Sequence, residues 1–227
     1  MGFTHSQSKL VNGTVTVATP LAVTLTSNPS LGDVVWVSIF NVTGASIGDL
    51  TVLDSNSNSY TKTANSPYTL GDNSISLYYL IAPSNATNSL SVHASLVTAI
   101  IYVAVDDFAV SGGNATYDKE AKGTGTGTTI NTPSITPTYP NSLLYSTAAI
   151  SVAGITAPNA GATLGSWTGG AGQSPSSTKY NDVEYILSAT GATAVNYSCS
   201  SGNWIALVDA FYIPSAAVTN KPHVQMF

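Results

Sequence analysis

Apolar and polar residues alternate along this chain with a period of two, and the three-to-four spacing of an amphipathic helix is nearly absent. In GTVTVATPLAVTLTS, residues 13–27, Val15 and Val17 and then Leu21, Val23 and Leu25 stand against threonine and alanine. That spacing predicts two strands broken at Pro20. DVVWVSIFNV, from Asp33, is more continuously apolar and predicts a central strand covered on both faces. Further strands are expected at DLTVLD, SYTKT, SISLYYLIA, SLSVHAS and VTAIIYVAVDDF, and in the second half at SLLYSTAAISV, VEYILS, AVNYSCS and WIALVDAFY. Clusters of Gly, Asn, Pro and Ser punctuate them at the spacing of a sandwich or barrel, so the predicted class is all-β.

The segments YYLIAPSNATNSLSVHASLVTAIIYVAVDDFAV and VEYILSATGATAVNYSCSSGNWIALVDAFYI resemble each other. Each runs strand, polar turn, alternating strand, turn, and an apolar strand that carries aspartate and ends in phenylalanine, which places Asp107 and Asp209 at similar points. Two similar halves facing one core would look like this, with the polar stretch from Gly112 to Asn141 crossing between them. GTGTGTT and TPSITPTYPN within that stretch have the composition of a linker. The expected organisation is one sandwich over residues 28–213, preceded by N-terminal strands or an arm (1–27) and followed by a tail (214–227). The alternative is two sandwiches split near 112–141.

Composition narrows the function. The chain has 227 residues, 43% hydrophobic and only 7% charged, with a formal charge of −5. All six cations are lysines, scattered from Lys9 to Lys221. Nucleic-acid recognition calls for clustered cations and favours the planar guanidinium, so that class is set aside. No apolar run is long enough for a membrane helix, and the N-terminus shows no secretory signal pattern. Cys199 is the one cysteine, which leaves packing and sheet hydrogen bonds to hold the fold.

Several patterns suggest chemistry and meet a plainer reading. Asp54, Asn56 and Asn58 are spaced like the first ligands of a calcium loop, but Ser59 and Asn65 stand where that loop needs glycine and glutamate. The plainer reading is a turn in which Asp and Asn bond their own backbone. GASIG, residues 44–48, matches a nucleophile elbow around Ser46, yet a strand-like segment follows where the elbow needs a helix. The carboxylates Asp106, Asp107, Glu120, Glu184 and Asp209 make no evident acid pair, and His5, His93 and His223 have no local partner for zinc. No catalytic residue, resident metal or cofactor is expected. Trp167 in GSWTGGAGQ, expected to be exposed, and the nearby Tyr180 are the candidates for stacking on a sugar ring. Five Asn-x-Ser/Thr sequons, at Asn12, Asn41, Asn85, Asn114 and Asn196, would be glycan acceptors in a secreted protein.

Taken together, LGDVVWVSIFNV, TVLDSNSNSYT, SISLYYLIAPSNATNSLSV, AIIYVAVDDF and SGNWIALVDAFY resemble a group of jelly-roll, lectin-like β-sandwich domains. Such domains occur in bacteriophage virion proteins and in bacterial surface proteins. The resemblance spans about Leu31 to Tyr212, with Ser57 standing where a glycine is common in the hairpin. It implies an antiparallel jelly-roll sandwich and a non-enzymatic role: a capsid decoration or cement protein, or a tail component. The partners would be the major capsid protein or other virion subunits and copies of this chain, as a trimer or larger oligomer. A carbohydrate-binding or adhesive module at a cell surface is the alternative, and an extracellular filament subunit the third.

Overall fold

The computed structural model describes residues 2–42, 50–70, 73–95, 98–150, 155–156, 163–164, 167–170, 174–175, 180–194 and 196–214. The GASIG stretch, His223 and the tail beyond Pro214 lie outside them. The first half contains β1 (Gly2–Val15), β2 (Leu21–Thr24), β3 (Val34–Asn41), β4 (Leu50–Asp54), β5 (Thr61–Lys62), β6 (Tyr68–Leu70), β7 (Asn73–Ile81), β8 (Ser89–Ala94) and β9 (Ala99–Ser111). The second contains β10 (Thr116–Asn131), β11 (Ser142–Ile150), β12 (Ile155–Thr156), β13 (Thr163–Leu164), β14 (Trp167–Gly169), β15 (Ser174–Pro175), β16 (Tyr180–Ala189) and β17 (Asn196–Tyr212). Every pairing is antiparallel, and no helix occurs among the described residues. The architecture is all-β, in the manner of a sandwich.

The strands form three sheets. The first runs β1-β9-β3-β7-β5, with β6 also on β7; a small sheet runs β2-β8-β4; the third runs β10-β17-β11-β16-β14-β13. Side chains alternate between the faces of a strand, so a strand covered on both sides is buried at every position and largely apolar. β3 and β11 are buried along their whole lengths, with serine, threonine and asparagine among their apolar residues. Val35, Val37 and Ile39 point toward Val23, Val52 and Val92 of the small sheet. Trp36 and Phe40, on the other face of β3, join Tyr145, Leu207 and Phe211 between the two large sheets. A third core, with Leu144, Ile150, Trp167, Tyr197 and Trp204, covers the far face of the third sheet.

Two expectations are corrected. The linker-like GTGTGTT lies within β10, paired with β17 through Gly123↔Ala206, Thr124↔Ile205 and Gly125↔Trp204. Gly125 has a packing reason: a Cβ there would come within 2.4 Å of the Trp204 ring, so only glycine lets that indole lie against the strand. AVNYSCS and WIALVDAFY, expected as two strands, form the single 17-residue β17. The N-terminal segment is a strand of the first sheet, paired with β9 from Gly2↔Ser111 to Val15↔Ala99.

The two large sheets repeat one plan. In each, the first strand of the half lies beside the last, then the next two long strands in turn: β1-β9-β3-β7 and β10-β17-β11-β16. The registers agree residue by residue. Phe108 faces His5 and Val34, as Phe211 faces Tyr117 and Leu143. Trp36 stands between Asp106 and Tyr79, as Tyr145 stands between Asp209 and Tyr185. A register shift interrupts β1 between His5 and Gln7, and the related one interrupts β10 between Tyr117 and Lys119. The same bulge at the same place in both edge strands ties the halves together more closely than strand count alone, because a bulge resets the facing of every later residue.

Candidate functional site

The related residues meet on an approximate two-fold axis between the sheets. Counting two residues on from Trp36 and Tyr145 gives Ser38 and Thr147, and their hydroxyls hydrogen-bond each other at 3.0 Å. Trp36 and Tyr145 themselves stack, with centroids 5.1 Å apart and planes at 6°. Farther out the contacts come in matched pairs. His5 stacks on Tyr185 at 4.9 Å, and Tyr117 stacks on Tyr79 at 5.2 Å. Phe108 meets Tyr185 edge-on at 5.1 Å, and Phe211 meets Tyr79 at 5.0 Å. Each such pair contributes on the order of 1 kcal/mol beyond its burial, and together they orient one sheet on the other.

Two carboxylates lie within this aromatic layer. Asp106, fully buried, takes His5 Nε2 at 3.0 Å on Oδ1 and the Tyr145 hydroxyl, which donates at 2.9 Å, on Oδ2. Asp209, at the related position, accepts from the Tyr117 hydroxyl at 2.8 Å. Burial pushes the Asp209 carboxyl well above its usual range; the Tyr117 bond pulls it down and Glu120 pushes it further up. Asp209 Oδ2 and Trp36 Nε1, the counterparts of the bonded Asp106 Oδ2 and Tyr145 hydroxyl, are both buried without a hydrogen-bond partner. Gly170 closes the site from β14's end: a Cβ there would approach Asp106 Oδ2 to 2.7 Å.

A histidine backed by a buried aspartate has the form of a general-base pair. Here His5 meets the Asp106 carboxylate and the rings of Phe108 and Tyr185, contacts that fix β1 against its neighbours in both halves. The sequence separation of 101 residues between His5 and Asp106 explains why no local pattern announced the pair.

Glu184 forms a second polar centre on the opposite face of the third sheet. Register places it opposite Ser146 and Gly169. It is fully buried, and neither carboxylate oxygen has a hydrogen-bond partner. Burial first, and the charge of Asp182 second, push its carboxyl up to about 8. Ser146 Oγ and the Tyr197 hydroxyl lie 3.2 Å apart in the same core. The related positions in the first half are Tyr78 for Glu184 and Val37 for Ser146, both in an apolar core, so polarity here is particular to the second half.

Asp107 points to the other side of the first sheet from Asp106, and it is Asp106 that the register relates to Asp209. Gln7 Nε2 donates to Asp107 Oδ2 at 2.9 Å. Burial dominates, the Gln7 bond opposes it, and the carboxyl rises to about 6.

The remaining candidates resolve individually. Asp54 accepts four N–H bonds: Asn56 N at 3.0 Å and Asn58 N at 2.9 Å on Oδ1, and Asn58 Nδ2 at 2.8 Å and Thr87 N at 2.9 Å on Oδ2. The Asn56 N–H, two residues on, makes the Asx turn, and the other three donors pin the carboxylate in it. Ser57 adopts φ 64°, the left-handed conformation that the glycine common at this point would favour, and Tyr60 is buried as the chain re-enters the sheet. Burial raises the Asp54 carboxyl, but the Asn58 side chain and the three amides outweigh it and hold it below the ordinary value. Asp54→Ala is expected to cost about 2–3 kcal/mol, because the turn amides lose a charged acceptor. Urea denaturation at pH 7 measures it, and a loss under about 0.5 kcal/mol would show that water replaces the carboxylate without penalty. For this group the stabilisation is complete above the unfolded pKa, near 4, and disappears as pH falls through the lower folded value.

Trp167 corrects an expectation. It is 2% exposed, sits in the third core and donates its Nε1–H to Ala194 O at 3.2 Å, so its ring faces are covered by protein. The glycines around it are a property of its neighbours in sequence, while the far face of the third sheet supplies its surroundings. Tyr180 opens β16, and its side chain lies outside the described residues. Among the described residues no three His, Cys, Asp or Glu side chains gather as a metal site. Cys199 is half-buried, its thiol raised by burial.

Comparison with known proteins returned no matching family model, no matching curated protein and no matching solved structure.

Proposed function

We propose that this chain is a non-enzymatic structural protein of a virion, a decoration or cement protein that stabilises a particle through protein–protein contacts. The supporting observation is the order of strands. We read β1-β9-β3-β7 facing β2-β8-β4 as the winding of a jelly roll, an architecture shared by capsid and lectin domains, with β10-β17-β11-β16 as a second copy of its inner sheet. Fold alone does not assign function. The placement of polar groups adds to it: the His5–Asp106 pair serves packing, and the long strands β1 and β10 sit at sheet edges.

An edge strand offers unpaired backbone groups to a neighbour, and natural edges are commonly blunted by charge or proline. Residues 123–129 of β10, GTGTGTT, carry neither. In this reading a second copy or a capsid subunit adds to the sheet there. Light scattering on the full chain over a wide concentration range should give a trimer or larger closed assembly. The variant Thr124→Lys/Thr126→Lys should shift it to monomer. A wild-type chain that stays monomeric at every concentration, or an assembly indifferent to the two lysines, would remove the β10 edge from the proposal.

A further inference from the structure

We propose that the Tyr139–Tyr212 stack, together with the notch beside it, is a binding site for one ring of a neutral pyranose sugar. This goes beyond the assembly role and stands on different residues. Tyr139 is 45% exposed, whereas all three tryptophans are buried. Its ring lies on that of Tyr212 with centroids 4.0 Å apart and planes at 20°, so the covered face is the inner one and the exposure belongs to the outer face.

The ring is held in place before any ligand arrives. Thr138 N donates to Asp118 Oδ2 at 2.7 Å on one side of it, and Ser142 Oγ donates to Tyr139 O at 2.7 Å on the other. Pro137 and Pro140 flank the same turn, and Asn141 follows in a left-handed conformation at φ 61°. Fixing a side chain in advance lowers the ordering cost of binding.

Hydrogen-bonding groups surround the platform. Asn141 Oδ1 accepts from Ser188 Oγ at 3.0 Å, which joins the tyrosine turn to an open notch of about 270 Å³ lined by Ser188, Thr190 and Thr193 together with Ile186 and small residues. The notch is smaller than the pockets that enclose drug-sized ligands, and suits a single ring. Asp118 supplies a carboxylate on the Tyr139 side. An aromatic face carries partial negative charge and attracts the axial C–H groups of a pyranose, while carboxylate, amide and hydroxyl groups at the rim pair with its hydroxyls. With a chain charge of −5 and a carboxylate at the rim, a neutral sugar is favoured over an acidic one. A proline-rich peptide also docks on aromatic rings, but such grooves are lined by aromatics on both sides, and here the second side is Ser188 and Thr190.

The test is saturation-transfer NMR followed by calorimetry on the full chain, with glucose, galactose and mannose and their short oligomers. At least one is expected to bind in the millimolar range or tighter. Tyr139→Ala should weaken that binding about tenfold, the loss of one good aromatic contact, and Tyr139→Phe should stay within about twofold because the ring face remains. An unchanged thermal midpoint in both variants separates loss of the platform from loss of the fold. No binding of any of these sugars by the wild type, or equal binding by Tyr139→Ala, would overturn the site. Capture of a proline-rich peptide through Tyr139 without sugar binding would overturn the ligand class. Either result leaves the assembly reading to its own experiment.

Discussion

Trp36→Ala should destabilise the folded chain by about 3–5 kcal/mol, the cost of removing a large aromatic side chain from a packed interior. Trp36 is fully buried and lies between the two large sheets, stacked on Tyr145, edge-on to Phe211 at 5.3 Å and tilted against Tyr79 at 5.8 Å. The cavity would open where both sheets contribute side chains, so neither can close it without moving the other. Trp36→Phe keeps part of the stack and should cost less. Its indole N–H has no partner, so that substitution forfeits no hydrogen bond. Equilibrium urea curves at constant pH measure both changes. A Trp36→Ala loss below about 1 kcal/mol would mean that the sheets adjust freely and that the aromatic layer is not the main join between them.

Glu184→Gln should remove part of the pH dependence of stability and make the protein more stable than wild type at pH 8.5. The folded chain holds a proton on Glu184 up to about pH 8, whereas the unfolded chain releases it near the ordinary carboxylate value of 4.5. Between those values the native state binds more protons than the unfolded one, so wild-type stability falls as pH rises, at up to about 1.4 kcal/mol per unit. The penalty is absent below the unfolded pKa and complete above the folded one. Glutamine stands in for the protonated acid, with similar shape and no charge to bury. Asp107, raised to about 6, and Asp209, also raised by burial, contribute slopes of the same sign, so Glu184→Gln should flatten the profile only in part. Denaturation midpoints at pH 5 and pH 8.5 for both proteins decide this. Parallel profiles would show that Glu184 finds water or a partner and titrates normally.

Much of the fold was legible because two-residue alternation and burial are local signals. DVVWVSIFNV has the pattern of a central strand, and β3 is central, between β9 and β7. The break at Pro20 falls between β1 and β2. The likeness of the two halves was also readable, and setting VDDF on VDAF, with Phe108 on Phe211, brings Asp106 to Asp209. Pairing Asp107 with Asp209 is out by one residue, which puts the carboxylate on the wrong face of the strand. GTGTGTT has the makeup of a linker, and the Trp204 ring across the sheet is what explains Gly125. The polar centres were hidden for a related reason. His5 and Asp106 come together through sheet closure across a hundred residues, and Glu184 becomes unusual only once Tyr78 is seen at the related place. Tyr139 sits in a proline-rich stretch without a pattern of its own, and its partner Tyr212 lies at the far end of the chain.

The pairing of the sheets has a consequence for how this molecule behaves and changes. A two-fold contact between separate chains dissociates on dilution, but here the partners are joined through residues 112–115, a tether of four residues between β9 and β10. So short a connection keeps the effective local concentration of one half around the other in the millimolar range or above, and the contact becomes independent of protein concentration. Joining also frees the halves from identity. In a dimer of identical chains every substitution enters twice, on both sides of the axis. In this chain His5 occupies one side and Tyr117 the other, and an acid occupies one outer core while a phenol occupies its counterpart.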